Sequence, residues 1–137
     1  MGADWLPFLS GGQMSRAKLN NHELQAIRKA LMLDVSEAAE LIGKVSARTW
    51  QYWESGGRSI PDDIDMEMYG LIQLRDNLID EFAIYMLDSE EEEIEIKYYH
   101  SFDEWLEDGR VDNRVEWKIW QSAVSFVFIE AGRITLI

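Results

Sequence analysis

The sequence predicts a mainly α-helical protein, with a compact helical module in its N-terminal half and an α+β region in its C-terminal half. Three observations lead to this fold class. Three short segments between residues 20 and 55 carry apolar side chains at helical spacing, and each segment is preceded by a residue that favours a helix start. Two longer helical patterns follow, over residues 61–87 and 114–131. Residues 94–98 alternate apolar and polar side chains, which is typical of a single strand.

The first two short helices each begin with a capping signal. Asn20 is followed three residues later by Glu23, the spacing of a capping box, in which each side chain binds the other residue's backbone N–H. Asp34 and Glu37 repeat this spacing at the second helix. We expect Gly43 to end the second helix, because glycine adopts left-handed backbone geometry at little cost.

A third helix is predicted over residues 47–54, with Ser46 as its N-cap and Gly56 and Gly57 after its end. Only the turn at residues 43–46 separates it from the second helix. Two short helices joined so closely are the sequence pattern of a helix-turn-helix, which places its last helix against DNA.

The polar side chains of the third helix predict a base-reading surface. At about 100° per residue, four of them share one arc of the helix: Arg48, Gln51, Tyr52 and Ser55. Trp50 and Trp53 lie on the opposite side, where they can anchor the helix to a core. Arginine can contact guanine, glutamine can contact adenine, and tyrosine can reach a phosphate or a thymine methyl. The alternative is the solvated face of an ordinary amphipathic helix.

The C-terminal half is predicted to begin with a long helix that has Pro61 at its first position and a wide apolar face. The strand at residues 94–98 needs a partner, because one strand is not stable alone. That partner is either residues 134–137 of the same chain or a strand of a second chain. A short helix is expected over residues 102–107.

The helix predicted over residues 114–131 is apolar nearly all round, so it must be buried on most of its sides. We predict that it forms the core of a homodimer. The side chains assigned to this interface are Trp117, Trp120, Val124, Phe126 and Phe128. The alternative is an antitoxin-like protein whose C-terminal half binds a different protein.

The charge of the chain is distributed unevenly. The formal net charge is −13, but residues 15–60 carry +2 and residues 61–137 carry −14. Contacts to phosphate normally need a basic surface. The asymmetry therefore fits a protein with one half that meets an anion and another that faces water or a partner.

The titratable residues form no pattern typical of catalysis or metal binding. There is no cysteine, which excludes disulfides, thiolate ligands and a cysteine nucleophile. The two histidines, His22 and His100, are far apart in the sequence and in no ligand or triad spacing. The acidic run at residues 90–93 lacks the glycine-containing loop of an EF-hand. We therefore expect no enzymatic activity, no metal and no cofactor.

Residues 1–13 are predicted to be a leader or an added extension that stays unfolded, because Met14 could itself be an initiator. They lack the basic start of a secretory signal peptide. The chain also has no run of about 18 uncharged apolar residues, the length that spans a membrane. We expect a cytoplasmic protein without membrane contact.

From residue 24 to residue 61, the run LQAIRKALMLDVSEAAELIGKVSARTWQYWESGGRSIP resembles the lambda-repressor-like helix-turn-helix of Cro and phage-repressor proteins. It is especially similar to the phage anti-CRISPR-associated autorepressors and their uncharacterised bacterial relatives. The resemblance continues through WKIWQSA at residues 117–123. It implies a DNA-binding domain over residues 14–60 and a dimerisation domain over residues 61–137.

The resemblance also implies a function. Such proteins bind, as dimers, an inverted repeat that overlaps their own promoter, and they repress that operon. Similar repressors also bind the messenger RNA of the operon, so RNA is a further implied ligand.

The residues that the resemblance assigns to DNA lie on the third helix and just beyond it. Arg48, Gln51 and Tyr52 occupy the base-reading positions. Backbone N–H groups at Ser46 and Ala47 can meet a phosphate, and the loop residues Arg58 and Ser59 would add secondary phosphate contacts. Relatives commonly carry another basic residue where this chain has Gly57, which weakens the contact expected from the loop.

Overall fold

The structure is a computed structural model that describes residues 16–137. Helices dominate this range, and two short strands form a small sheet, so the predicted fold class is confirmed. The leader predicted at residues 1–13 lies outside the described residues. The elements, in chain order, are α1 (Asn21–Ala30), α2 (Val35–Ala38) with a π-helical turn that continues it (Ala39–Gly43), α3 (Ala47–Ser55), α4 (Asp62–Asp88), β1 (Ile94–Ile96), α5 (Phe102–Glu107), α6 (Arg114–Ala131) and β2 (Ile134–Leu136).

The predicted helix starts are confirmed by the hydrogen bonds of their caps. The Oδ1 atom of Asn20 accepts from the Glu23 backbone N–H at 2.9 Å, and Glu23 accepts from the Asn20 N–H at 2.8 Å. Asp34 and Glu37 form the same reciprocal pair. These caps satisfy N–H groups that a helix start leaves without partners.

The predicted end of the second helix is wrong in one respect. Lys44, not Gly43, adopts the left-handed backbone conformation, with φ of 54°. Gly43 is needed for another reason: a Cβ atom there would lie 2.9 Å from Cγ2 of Val45 and 3.1 Å from the Trp50 ring. The turn therefore requires glycine because α3 packs closely against it, not because of the backbone dihedral.

One hydrophobic core joins α1, α2 and α3 to the C-terminal half. Leu24, Leu31 and Trp50 are completely buried in it. Met68 of α4 and Ile119 of α6 belong to the same cluster. The boundary at residue 60 remains a prediction, and the core itself extends across it.

The strand at residue 94 pairs within the chain. β1 and β2 are parallel, with Ile94 opposite Ile134 and Ile96 opposite Leu136. Of the two partners left open by the sequence, the structure therefore shows the intramolecular one. The isoleucines of β1 pack on Val124 of α6, so this small sheet covers one side of the C-terminal helix.

None of the helices in residues 16–137 is long and apolar enough to cross a membrane.

Candidate nucleic-acid interface

The α3 helix is anchored by its two tryptophans. The exposed fraction is 0% for Trp50 and 5% for Trp53, and their ring centroids lie 5.3 Å apart. Both indoles face the core, as the sequence predicted. With one side of α3 fixed in this way, its other side projects into solvent.

A buried ion pair also holds α3 against α1. The Glu54 carboxylate accepts from Arg28 Nε at 2.6 Å and Arg28 Nη2 at 3.0 Å, and from Trp50 Nε1 at 2.6 Å. A further bond runs from Arg28 Nη1 to the Leu33 carbonyl at 3.0 Å. The pair thus ties together α1, the loop after it and α3.

This ion pair was not predicted from the sequence, although the sequence contains a signal for it. Arg28 lies between Leu24 and Leu31 on the buried stripe of α1. A charge on an apolar stripe needs a buried partner, because desolvation would otherwise be costly. That partner, Glu54, is 26 residues away, and spacing rules within one helix could not identify it.

The environment of Glu54 fixes its charge. Burial of this carboxyl would raise its pKa, but the hydrogen bonds from Arg28 and Trp50 outweigh burial and leave the pKa lowered. Glu54 is therefore ionised at neutral pH, so it can hold the Arg28 guanidinium in place.

The outward side of α3 presents the predicted polar residues. Arg48, Gln51 and Ser55 are exposed, and Tyr52 is half-buried between them. We call these four residues the recognition arc. Arg48 Nε donates to the Tyr52 hydroxyl at 3.2 Å. Within the described chain, the two terminal nitrogens of the Arg48 guanidinium make no hydrogen bond, so its fork is available to a ligand.

The loop after α3 folds back onto the recognition arc. Gly56 ends the helix with φ of 85°, and the Arg58 N–H donates to the Tyr52 carbonyl at 3.2 Å. The Arg58 guanidinium carbon lies 4.6 Å from the centre of the Tyr52 ring. Two arginines thus flank one tyrosine, and Ser59 is exposed beside them. The basic groups of the helix and the loop form one surface.

Ser46 and Ala47 lie at the N-terminal end of α3, as predicted. The Ser46 hydroxyl accepts from the Thr49 N–H at 3.2 Å and also bonds the Thr49 hydroxyl at 3.1 Å. The Ser46 side chain is therefore used as a helix cap. A phosphate at this end would meet backbone N–H groups more readily than the Ser46 side chain.

The five residues predicted for dimerisation separate into two groups. Trp117 and Val124 are buried inside the chain's own core, and Trp120 is half-buried with its indole N–H bonded to the Lys97 carbonyl at 2.9 Å. Phe126 and Phe128 remain 41% and 45% exposed. The exposed pair is the part of the set that a partner could contact directly.

A cleft of about 520 Å³ lies between α4, α5 and α6. Its lining contains no histidine, serine, cysteine or lysine, and its polar side chains include Glu81, Arg110 and Glu116. It therefore offers no hydroxyl, thiol or amine nucleophile beside a histidine base. In the described part of the chain, no group of three histidine or carboxylate side chains is arranged to hold a metal ion.

Comparison with known proteins agrees with the resemblance found in the sequence. Residues 19–136 match the family described as Aca2/YdiL-like. The chain is also 45% identical, over 112 residues, to a protein named Aca2 repressor from Pectobacterium phage ZF40. The aligned segment covers 82% of this chain and 95% of that relative. The chain belongs to the Aca2/YdiL-like family.

Proposed function

We propose that this protein is a transcriptional repressor that binds an inverted repeat in double-stranded DNA as a homodimer and represses its own operon. The observation that carries the proposal is the two-sided character of α3. Its indoles are buried, while a guanidinium, an amide and a phenol project together into solvent. The relative that is 45% identical carries the name repressor, which supports the same role.

Each member of the recognition arc has a suitable partner on DNA. The free fork of Arg48 fits the O6 and N7 acceptors of guanine, and Gln51 can form the corresponding pair of bonds with adenine. Tyr52 is assigned to a phosphate or a thymine methyl, and Ser55 to a hydrogen bond with a phosphate or a base edge. Arg58 and Ser59 would bind the phosphate backbone next to the helix and fix its register in the groove.

The charge distribution supports this orientation on DNA. The net charge of +2 in residues 15–60 accompanies the recognition arc, whereas residues 61–137 carry −14. Phosphates repel the acidic half, so the helix-turn-helix is the part that approaches DNA. The acidity of the whole chain is therefore compatible with a DNA-binding function.

Dimerisation raises the affinity for DNA, because two short recognition helices then bind two half-sites together. Two half-sites about 34–36 Å apart match two recognition helices related by a twofold axis. Exposed apolar side chains near the end of α4 and on α6 offer a surface for a second copy, and they include Leu87 at 84%, Phe126 at 41% and Ile129 at 73% exposure. Covering them would remove apolar surface from water.

The function is tested by binding and mass measurements on the same sample. The wild-type chain is used to select duplexes from a randomised pool, and its mass is measured by light scattering after size exclusion. We expect a dimer and a selected inverted repeat. Selection of an asymmetric site by a monomer, or the absence of any selected site, would contradict the proposal.

The antitoxin-like alternative rests on the same exposed apolar side chains of α6. It predicts a chain that stays monomeric or aggregates alone and becomes soluble with a different protein. The light-scattering measurement separates the two functions. In either case we infer a binding function, which the name of the relative that is 45% identical also supports.

We include the operon's messenger RNA as a second ligand of the same surface. Arginine and tyrosine side chains bind unpaired bases by stacking, and the recognition arc has both. Filter binding of the transcript, with an unrelated RNA of equal length as competitor, tests this part of the proposal separately. Both ligands imply a cytoplasmic location.

A further inference from the structure

We propose that Ser122 is a positioning residue that fixes the recognition helix relative to the dimer surface and thereby sets the half-site spacing that the protein accepts. The inference rests on the proposed function. It concerns a contact far from the recognition arc, where α1, α4 and α6 meet.

The contact is a single hydroxyl shared by three helices. Ser122 of α6 is 4% exposed, and its Oγ donates to the carbonyl of Ala30, the last residue of α1, at 2.5 Å. The same Oγ accepts from Arg75 Nε of α4 at 2.6 Å. A hydroxyl has one proton, so the donation by Arg75 directs that proton to the Ala30 carbonyl. The three helices are thus joined in one orientation.

The hydroxyl is connected to the recognition helix through α1. Arg28 lies two residues before Ala30, and its guanidinium binds Glu54 of α3. At the other end of α1, Asn21 Nδ2 donates to the Glu54 carbonyl at 3.2 Å. Because α1 and α3 are bonded at both ends of α1, a displacement at Ala30 would move the recognition helix with it.

The hydroxyl is also close to the proposed dimer surface. Phe126 and Ile129 follow Ser122 by four and seven residues, so they lie on the same face of α6. The Arg75 guanidinium carbon is 5.4 Å from the centre of the Phe126 ring. The Ser122 hydroxyl and the exposed apolar side chains of α6 are therefore separated by about one helical turn.

Other contacts between α6 and the helix-turn-helix are less directional. Ile119 packs in the shared core, and apolar packing holds surfaces together without fixing their angle. The ion pair between Lys118 and Glu37 spans 3.6 Å and is partly exposed, so water and salt weaken it. The buried hydrogen bonds of Ser122 are the contacts that depend on angle.

The test is a comparison of half-site spacings. The inverted repeat selected by the wild-type protein is compared with duplexes in which the same half-sites are moved by one, two or three base pairs. We expect Ser122→Ala to lower the preference for the original spacing by about fivefold, the factor that one hydrogen bond of ordinary strength represents. Its affinity for a single half-site and its dimer mass should equal those of the wild type.

Ser125→Ala is the matched control. Ser125 is half-buried on α6 one turn further on, and its side chain makes no hydrogen bond to other described residues. The same chemical change at this position should leave the spacing preference unaltered. A loss as large as that of Ser122→Ala would mean that any truncation in α6 has this effect, and would overturn the inference.

Arg75→Met removes the hydrogen bond from Arg75 to Ser122 while keeping the serine hydroxyl. It replaces Ser122→Ala in the test if Ser122→Ala melts below the assay temperature. We expect a loss of spacing preference in the same direction. Retention of the full wild-type spacing preference by either variant, in its folded form, overturns the inference. The absence of any spacing preference in the wild type contradicts the proposed function itself.

Discussion

At the residue scale, the buried and the exposed side of α3 follow from the helical spacing of its side chains. Trp50 is completely buried, while Arg48 and Gln51, its near neighbours in sequence, are exposed. This separation was predictable, because helical spacing alone assigns residues to faces. The bond from Arg48 to Tyr52 connects residues four apart and also follows from that spacing.

Arg48→Ala and Gln51→Ala should each reduce discrimination against the wrong base by about 1–3 kcal/mol. Each change removes a side chain that can form two hydrogen bonds with one base. Gel-shift titrations at fixed salt, with the selected operator and its single-base variants, measure the effect.

Lys29→Ala is the control for charge, because this exposed lysine of α1 lies outside the recognition arc. It should change affinity for all duplexes alike, if at all. Unchanged operator affinity in both Arg48→Ala and Gln51→Ala would show that the arc does not read bases.

At the element scale, the sequence predicted the helix starts and the end of α3 at Gly56, but not the left-handed residue that follows the second helix. Capping boxes join residues three apart, so Asn20 and Asp34 could be recognised without any tertiary information. The end of the second helix depends on the Trp50 ring, which comes from another helix. A local rule about glycine could not anticipate that contact.

The turn between α2 and α3 gives a prediction on stability. Gly43→Ala should destabilise the fold by about 1–3 kcal/mol, because the added methyl meets Val45 and the Trp50 ring. Lys44→Gly should be neutral or stabilising, because a left-handed conformation costs a non-glycine residue about 1–2 kcal/mol. Urea unfolding followed by circular dichroism compares the two, and the reverse order would contradict this account of the turn.

The ion pair between α1 and α3 gives a prediction on pH. The pKa of Glu54 is lowered in the folded state because its bonds to Arg28 and Trp50 outweigh burial. Its stabilising contribution is therefore present above the ordinary value of 4.5 and is lost as pH falls through the lowered pKa. Asp65 should contribute in the same direction, since Arg16 and the Leu19 N–H outweigh burial and lower its pKa.

Urea midpoints measured from neutral pH down to acid test this prediction. Glu54→Gln should unfold at lower urea concentration at neutral pH and lose less stability on acidification than the wild type. Glu40→Gln, at an exposed glutamate, is the control and should follow the wild-type curve. Equal pH dependence for Glu54→Gln and the wild type would contradict the assignment.

At the scale of the whole molecule, the C-terminal half was harder to predict than the helix-turn-helix. Its helices were located well, since the short and long patterns at residues 102–107 and 114–131 match α5 and α6. The partner of β1 is 40 residues away, and no spacing rule selects between that strand and one of a second chain. Trp117 and Val124, which were predicted to lie at a dimer interface, are buried inside the chain itself. An apolar sequence pattern shows how much of a helix is buried, but it does not show which surface covers the helix.

Phe126→Asp should weaken the proposed dimer, because it would bury a charge where two apolar surfaces are proposed to meet. Light scattering over a dilution series should show dissociation at higher concentration than for the wild type. Affinity for the inverted repeat should fall more than affinity for a single half-site.

Met66→Asp is the control, since this methionine of α4 is 70% exposed and lines a cleft together with Arg16 and Lys18. It should keep the dimer intact. A Phe126→Asp protein that remains dimeric on dilution would place the interface elsewhere.

The separation between the buried and the solvent side of α3 has a consequence for how the proposed repressor could acquire a different target. Arg48, Gln51 and Ser55 are exposed and take no part in the apolar core. Exchanging exposed side chains usually alters stability by no more than about 0.5 kcal/mol. Under the proposed function, these three positions could therefore be varied together to direct the protein to a different promoter without altering its core.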